Sequence, residues 1–242
     1  MMSKKTKMLR LSALSLAVAG AMSVSHTANA EGVDVSGSVG VANMYLWRGF
    51  DLGTGDAAVS GDLRASAGGF YGGVWGSSGD SAWGTEYDLY VGYGAEFGGV
   101  TVDLSVWNYT YPSYPETECT SSVDGTEIVE TCEKVDVIQD DFGGLSDAVL
   151  SIGFAGLTAS VYDNIAGGSG YEYYTLAYSF DAFSVLVGKH DNVNGVDEDQ
   201  MVHVNLSYAY NDNLTFTFSQ QVDQEVDDDL KFVVAYNLPI GD

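Results

Sequence analysis

A transmembrane, antiparallel, up-and-down β-barrel of about twelve strands is the fold this 242-residue sequence predicts. Three observations carry the prediction: apolar residues alternate with polar ones over most of the chain, short and long connections alternate without a break, and aromatic residues recur at strand ends. Thirty glycines, sixteen tyrosines and only three prolines fit neither a helix bundle nor a disordered chain.

The N-terminus is of a different kind. Lys4, Lys5, Lys7 and Arg10 precede an apolar run from Leu11 to Val24, and Ala28-Asn29-Ala30 follows. A basic region, a short apolar region and a small-residue cleavage site read as a secretory signal peptide over 1–30, leaving 31–242 as the barrel. No later apolar run reaches the roughly 18 residues that a membrane-crossing helix needs. Four of the nine bases leave with the signal, whereas all 34 acids remain. So acidic an exported chain is not expected to bind nucleic acid.

The strands follow in order. Val33, Val35, Val39 and Val41 alternate with Asp34, Ser36 and Ser38; Val59 and Leu63 alternate with Asp62 and Arg64. Tyr87, Leu89, Val91, Tyr93 and Phe97 alternate with Glu86, Asp88, Gly92 and Glu96, and Val102, Leu104 and Val106 with Asp103 and Ser105. The pattern returns at Leu150, Ile152 and Phe154, and it runs on through Leu176, Val185, Val204, Phe216 and Val234. Twelve strands result: 33–48, 56–67, 69–77, 83–97, 100–111, 145–155, 157–163, 171–180, 183–190, 200–210, 214–222 and 229–237. Tight connections (Gly68-Gly69, Gly98-Gly99, Ala155-Gly156, Asp181-Ala182, Asn211-Asn213) define a periplasmic end. Long acidic loops, the longest from Pro112 to Leu145, define an extracellular end.

A periplasmic β-sandwich also has one apolar face per strand. Strand length and the ordering of the loops favour the barrel, as does the aromatic spacing. Tyr87 and Phe97 share a face ten residues apart, which at about 3.4 Å per residue and a tilt of about 45° spans roughly 24 Å, close to the apolar band of an outer-membrane barrel. Phe97, Phe154, Phe180, Tyr210 and Tyr236 form the periplasmic aromatic girdle, Tyr87 lies toward the outer interface, and Tyr45 and Trp47 are expected there too. Leu89, Val91, Leu104, Ile152, Val204 and Val234 are expected to face lipid. A charge at Leu89 should therefore harm assembly more than one at Gly92.

Tyr45-Leu46-Trp47-Arg48-Gly49-Phe50 resembles the aromatic-Arg-Gly signature of the TorF-type porins, a proteobacterial outer-membrane family. Gly69–Ser77, Glu86–Tyr93 and Tyr109–Pro112 resemble its later blocks, so the likeness covers about 30–112. It implies an outer-membrane barrel of porin function, and it implies no substrate.

By parity Arg48, Asp62, Arg64, Glu86, Asp88, Asp103 and Lys231 point inward and are the candidate constriction charges, with Glu96 near the periplasmic end. Acids outnumber bases, which points to a weak preference for cations. The function expected is a passive outer-membrane channel for small hydrophilic solutes or ions. The alternatives are a plugged structural or adhesin-like barrel and an outer-membrane hydrolase; a soluble periplasmic module is the reading without a barrel. The hydrolase draws on His203, Asn205 and Ser207, which share a face, but neighbours at i and i+2 lie about 6.6 Å apart along a strand. The sequence contains no G-x-S-x-G, H-E-x-x-H or Walker motif, and the chain is read as no enzyme. Cys119 and Cys132 are expected to form a disulfide around an Asp124-Gly125 turn, as suits an exported protein. The acidic loops match no calcium-loop motif, so no metal site or cofactor is assigned, although divalent cations are natural partners of such carboxylates. Membrane lipid and lipopolysaccharide are the other partners expected.

Overall fold

Turn chemistry and alternation close this chain on itself. The computed structural model describes residues 28–30, 32–124, 127–139, 142–167, 170–192, 201–222 and 229–240. Most of the expected signal segment, 1–27, lies outside the described residues. Twelve strands build the wall: β1 (Val33–Ala42), β2 (Ala58–Ala67), β3 (Phe70–Asp80), β4 (Gly84–Phe97), β5 (Val100–Asp124), β6 (Ser146–Phe154), β7 (Leu157–Ala166), β8 (Glu172–Phe180), β9 (Phe183–Asp191), β10 (Met201–Ala209), β11 (Leu214–Gln221) and β12 (Lys231–Ile240). Each pairs antiparallel with its sequence neighbours, and β1 also pairs with β12 (Val41 opposite Tyr236), so the sheet is a closed ring. Closure leaves no unpaired edge in the wall. Gly68-Gly69 (φ +58° and +90°) and Gly98-Gly99 (+60° and +85°) make the two-residue turns with both φ positive that hairpins favour.

The outer face is apolar. Leu89, Val91, Leu104 and Ile152 are exposed on it, and Val204 and Val234 share it half-buried. Tyr87, Phe97, Phe154, Phe180, Tyr210 and Tyr236 are also exposed, Phe97, Phe154 and Phe180 each closing a strand beside a tight turn. The opposite parity faces the lumen and carries the buried polar and charged side chains, together with aromatic and aliphatic clusters around Trp75 and Val233.

The abundance of glycine and tyrosine has a local cause. Gly92 lies opposite Tyr71, and Gly73 opposite Tyr90, so each inward ring lies across a glycine on the next strand. A methyl group at either glycine would run into the ring. Gly92 is therefore not the tolerant inward site that parity suggests, because any side chain there displaces Tyr71.

Two other expectations are corrected. The first strand ends at Ala42, not at 48. Asn43 terminates it, with its side chain bonding both the Phe232 carbonyl (3.0 Å) and the Val234 N–H (2.7 Å) of β12. The chain then turns into the barrel as a small hairpin, Leu46–Trp47 against Phe50–Asp51. Likewise 112–145 is not a plain loop. β5 runs past the wall and pairs with 127–139 as a projecting hairpin, in which Cys119 faces Cys132 and is bonded to it. Residues 125 and 126, where its turn falls, lie outside the described residues.

Candidate functional site in the barrel lumen

The hairpin at 46–51 is folded into the lumen against the wall residues Asp147, Tyr162, Tyr173 and His190. Its tip is Arg48-Gly49, both with positive φ (+45° and +89°), the geometry of a tight two-residue turn. Gly49 suits that conformation, and its lack of a side chain lets the tip sit against His203 and Gln221. Arg48 adopts it at a cost of about 1–3 kcal/mol, the usual cost of a non-glycine residue held there.

At the loop end the lumen is packed around this tip. Arg48 Nη2 donates to Asp147 Oδ2 at 2.9 Å, and both side chains are buried. The guanidinium carbon lies 4.7 Å from the ring centres of Trp47, Tyr162 and Tyr173, and 5.4 Å from that of Tyr171. A desolvated cation over an aromatic face gains up to about 2 kcal/mol per well-placed ring, with less for each added ring. The wall residues are themselves tied down. Asp147 accepts from Asn164 (2.9 Å) and from the Tyr109 hydroxyl (3.1 Å). The Tyr171 hydroxyl bonds His190 Nδ1 at 2.8 Å, which leaves Nε2–H to donate to the Arg48 carbonyl at 2.8 Å. The Tyr173 hydroxyl bonds His203 Nε2 at 2.8 Å, and His203 Nδ1 lies 3.1 Å from Asn205 Oδ1.

Beside the tip, Tyr45 is fully buried, packs on Trp75 and donates to the Glu86 carboxylate. Burial and that carboxylate push the Tyr45 hydroxyl above the usual phenol range, so it remains a neutral donor. Asp88, two residues along the same face, is 0 % exposed.

Toward the tight-turn end the inward side chains Asp62, Arg64 and Asp103 are only half-buried. A cavity of about 320 Å³ is lined by Asp34, Arg64, Ser66, Tyr71 and Gly94 among others. One wall carries a ladder: the Tyr90 hydroxyl donates to Asp62 (2.7 Å), the Tyr71 hydroxyl donates to Asp103 (2.7 Å), and the Arg64 guanidinium lies 3.7 Å over the Tyr71 ring.

The inward charges named from sequence therefore separate. Asp62, Arg64 and Asp103 share the turn-end ladder. Glu86 and Asp88 lie under Tyr45, Arg48 is in the packed loop end, and Lys231 is buried on β12. Glu96 is exposed. Tyr45 and half-buried Trp47 point into the lumen, not to the outer interface. Asp147, which is not among the inward charges named from sequence, is a buried inward residue of β6; its parity with Ser151 was the available signal. Ser207 bonds Thr217 (2.9 Å) rather than His203. Among the described residues, no group of three or more His, Cys, Asp or Glu is placed to hold a metal.

The family described as bacterial protein of unknown function (Gcw_chp) matches residues 26–235. No curated protein sequence matches the chain. Among solved structures, it is similar to the outer membrane phospholipase A from Escherichia coli at 11 % identity and a TM-score of 0.42, covering 86 % of this chain and 90 % of that one. It is similar to OccD3 (OpdP) of Pseudomonas aeruginosa at 11 % and 0.34, covering 88 % and 67 %. A mutant of the Rh. blastica porin matches at 14 % and 0.28, covering 85 % and 100 %. At such TM-scores these likenesses carry no argument about activity.

Proposed function

The chain belongs to the bacterial Gcw_chp family, and we propose that it is an outer-membrane barrel forming a narrow passive channel for small hydrophilic solutes, weakly preferring cations. The observation that carries this reading is the pairing of an apolar outer face with a lumen that carries charged and polar side chains and holds a cavity of about 320 Å³ at the turn end. A soluble protein has no use for so continuous an apolar exterior, whereas a bilayer requires it. The signal-like N-terminus supports export to the outer membrane, where the loop end would meet lipopolysaccharide and the acidic loops would gather cations at the mouth. The segments resembling TorF-type porins support the same assignment, and no chemical step is assigned to the lumen residues. Single-channel recording in planar bilayers tests it: small conductance steps, with a reversal potential of cation-preferring sign in a KCl gradient, are expected.

The packing of Tyr45 and Arg48 favours a second reading, in which the hairpin closes the lumen and the barrel is structural. Heat-modifiable, fully folded protein that conducts no ions would decide for it.

A further inference from the structure

Resting on the channel reading, we infer that the loop-end wall is a binding cage for small organic cations bearing a guanidinium group, and that Arg48 is its internal, displaceable occupant. The cage is Tyr162, Tyr171, Tyr173 and Asp147, which all belong to the barrel wall or its rim. Arg48 belongs to the hairpin.

Three observations carry this assignment. The cage is held without the Arg48 side chain: Tyr171 bonds His190, which also bonds the Arg48 backbone carbonyl, Tyr173 bonds His203, and Asp147 accepts from Asn164 and Tyr109. Its chemistry fits a planar cation, with aromatic faces around a buried carboxylate that accepts N–H bonds. Arg48 fills it incompletely. Nη1 is buried without a hydrogen-bond partner, and the residue sits at φ +45°. A free guanidinium carries no such backbone constraint and can turn to satisfy all its donors. Such a solute, arriving at the loop end, competes with Arg48 for Asp147 and releases the hairpin from the wall. The channel's preferred solute and its opening signal are then one chemical class.

Titration calorimetry of the full processed barrel in detergent tests this, with methylguanidinium as probe and potassium at equal ionic strength as control. Arg48→Ala empties the cage and should bind methylguanidinium saturably. Adding Asp147→Asn should weaken that binding about tenfold or more, as the loss of a charged hydrogen bond requires. Wild type should bind more weakly than R48A. No saturable binding to folded R48A, or binding indifferent to Asp147, overturns the inference. If R48A does not fold alone, methylguanidinium during refolding should restore its heat-modifiable mobility, and failure to do so overturns it equally. Binding is read without ion flow, so conductance can be scored separately: a barrel that binds but never conducts keeps the cage and rejects the channel.

Discussion

The inward–outward register is tested most sharply by placing the same charge at two adjacent residues of one strand. Leu150 is the central residue of the nine in β6, exposed on the outer face between Leu104 and Val161 of the flanking strands. Ser151 points into the lumen, its hydroxyl 2.8 Å from that of Ser160, with Asp103 as its partner on β5. Leu150→Arg puts a cation near the bilayer midplane, which costs about 2–4 kcal/mol. Ser151→Arg forfeits one neutral hydrogen bond, about 1 kcal/mol, and brings a cation toward the Asp103 carboxylate. The outward variant should be less stable by about 2 kcal/mol, roughly thirty-fold in the folding equilibrium. Urea unfolding and refolding in lipid vesicles, followed by tryptophan fluorescence and heat-modifiable mobility, measures the difference. Equal stability of the two variants, or a worse result for Ser151→Arg, would refute the register.

Three further outcomes are expected. Replacing Cys119 and Cys132 with serine removes a cross-link worth up to about 3 kcal/mol to the hairpin that contains it; limited proteolysis should then cut the projecting hairpin while the barrel keeps its gel mobility. Asp147→Ala leaves Arg48 buried without its carboxylate and should destabilise the protein by about 3 kcal/mol in the same urea titration, with much of the loss recovered when Arg48→Met is added. Joint Asp62→Asn and Asp103→Asn should lower cation preference even at about 1 M salt, where the Debye length is about 3 Å, whereas trimming 116–139 should act mainly near 0.01 M, where it is about 30 Å. Reversal potentials at the two salt levels separate these effects.

The wall was legible because a closed barrel repeats one rule twelve times: each strand carries its own alternation, and closure adds no local signal that could contradict it. The hairpin at 46–51 was not legible, because Tyr45 and Trp47 continue the alternation of β1 and so read as more strand. What ends the strand is the Asn43 side chain, which occupies the backbone positions of β12, and that partner is 189 residues away. One local sign was present. Arg48-Gly49 between aromatic residues has the length and the glycine of a two-residue hairpin turn. The cage had no such sign. Asp147, Tyr162 and Tyr173 come from three neighbouring strands and Tyr171 from the rim, and it is the register of β6, β7 and β8, with Tyr162 opposite Tyr173, that brings them together.

The same separation explains why counting inward charges is a poor guide to selectivity. Parity places Arg48, Glu86 and Asp88 inside as surely as Asp62, but a charge acts on passing ions only where water reaches it. Arg48 is neutralised by Asp147 and wrapped by rings, and Glu86 and Asp88 are sealed beneath Tyr45. If the barrel conducts while the hairpin is seated, the half-buried acids Asp62 and Asp103, with Arg64 over the Tyr71 ring, should govern the field along the turn-end wall. Withdrawing the hairpin would expose Glu86, Asp88 and Asp147 together. An opened lumen should therefore prefer cations more strongly than a closed one, the direction that a guanidinium-bearing solute requires.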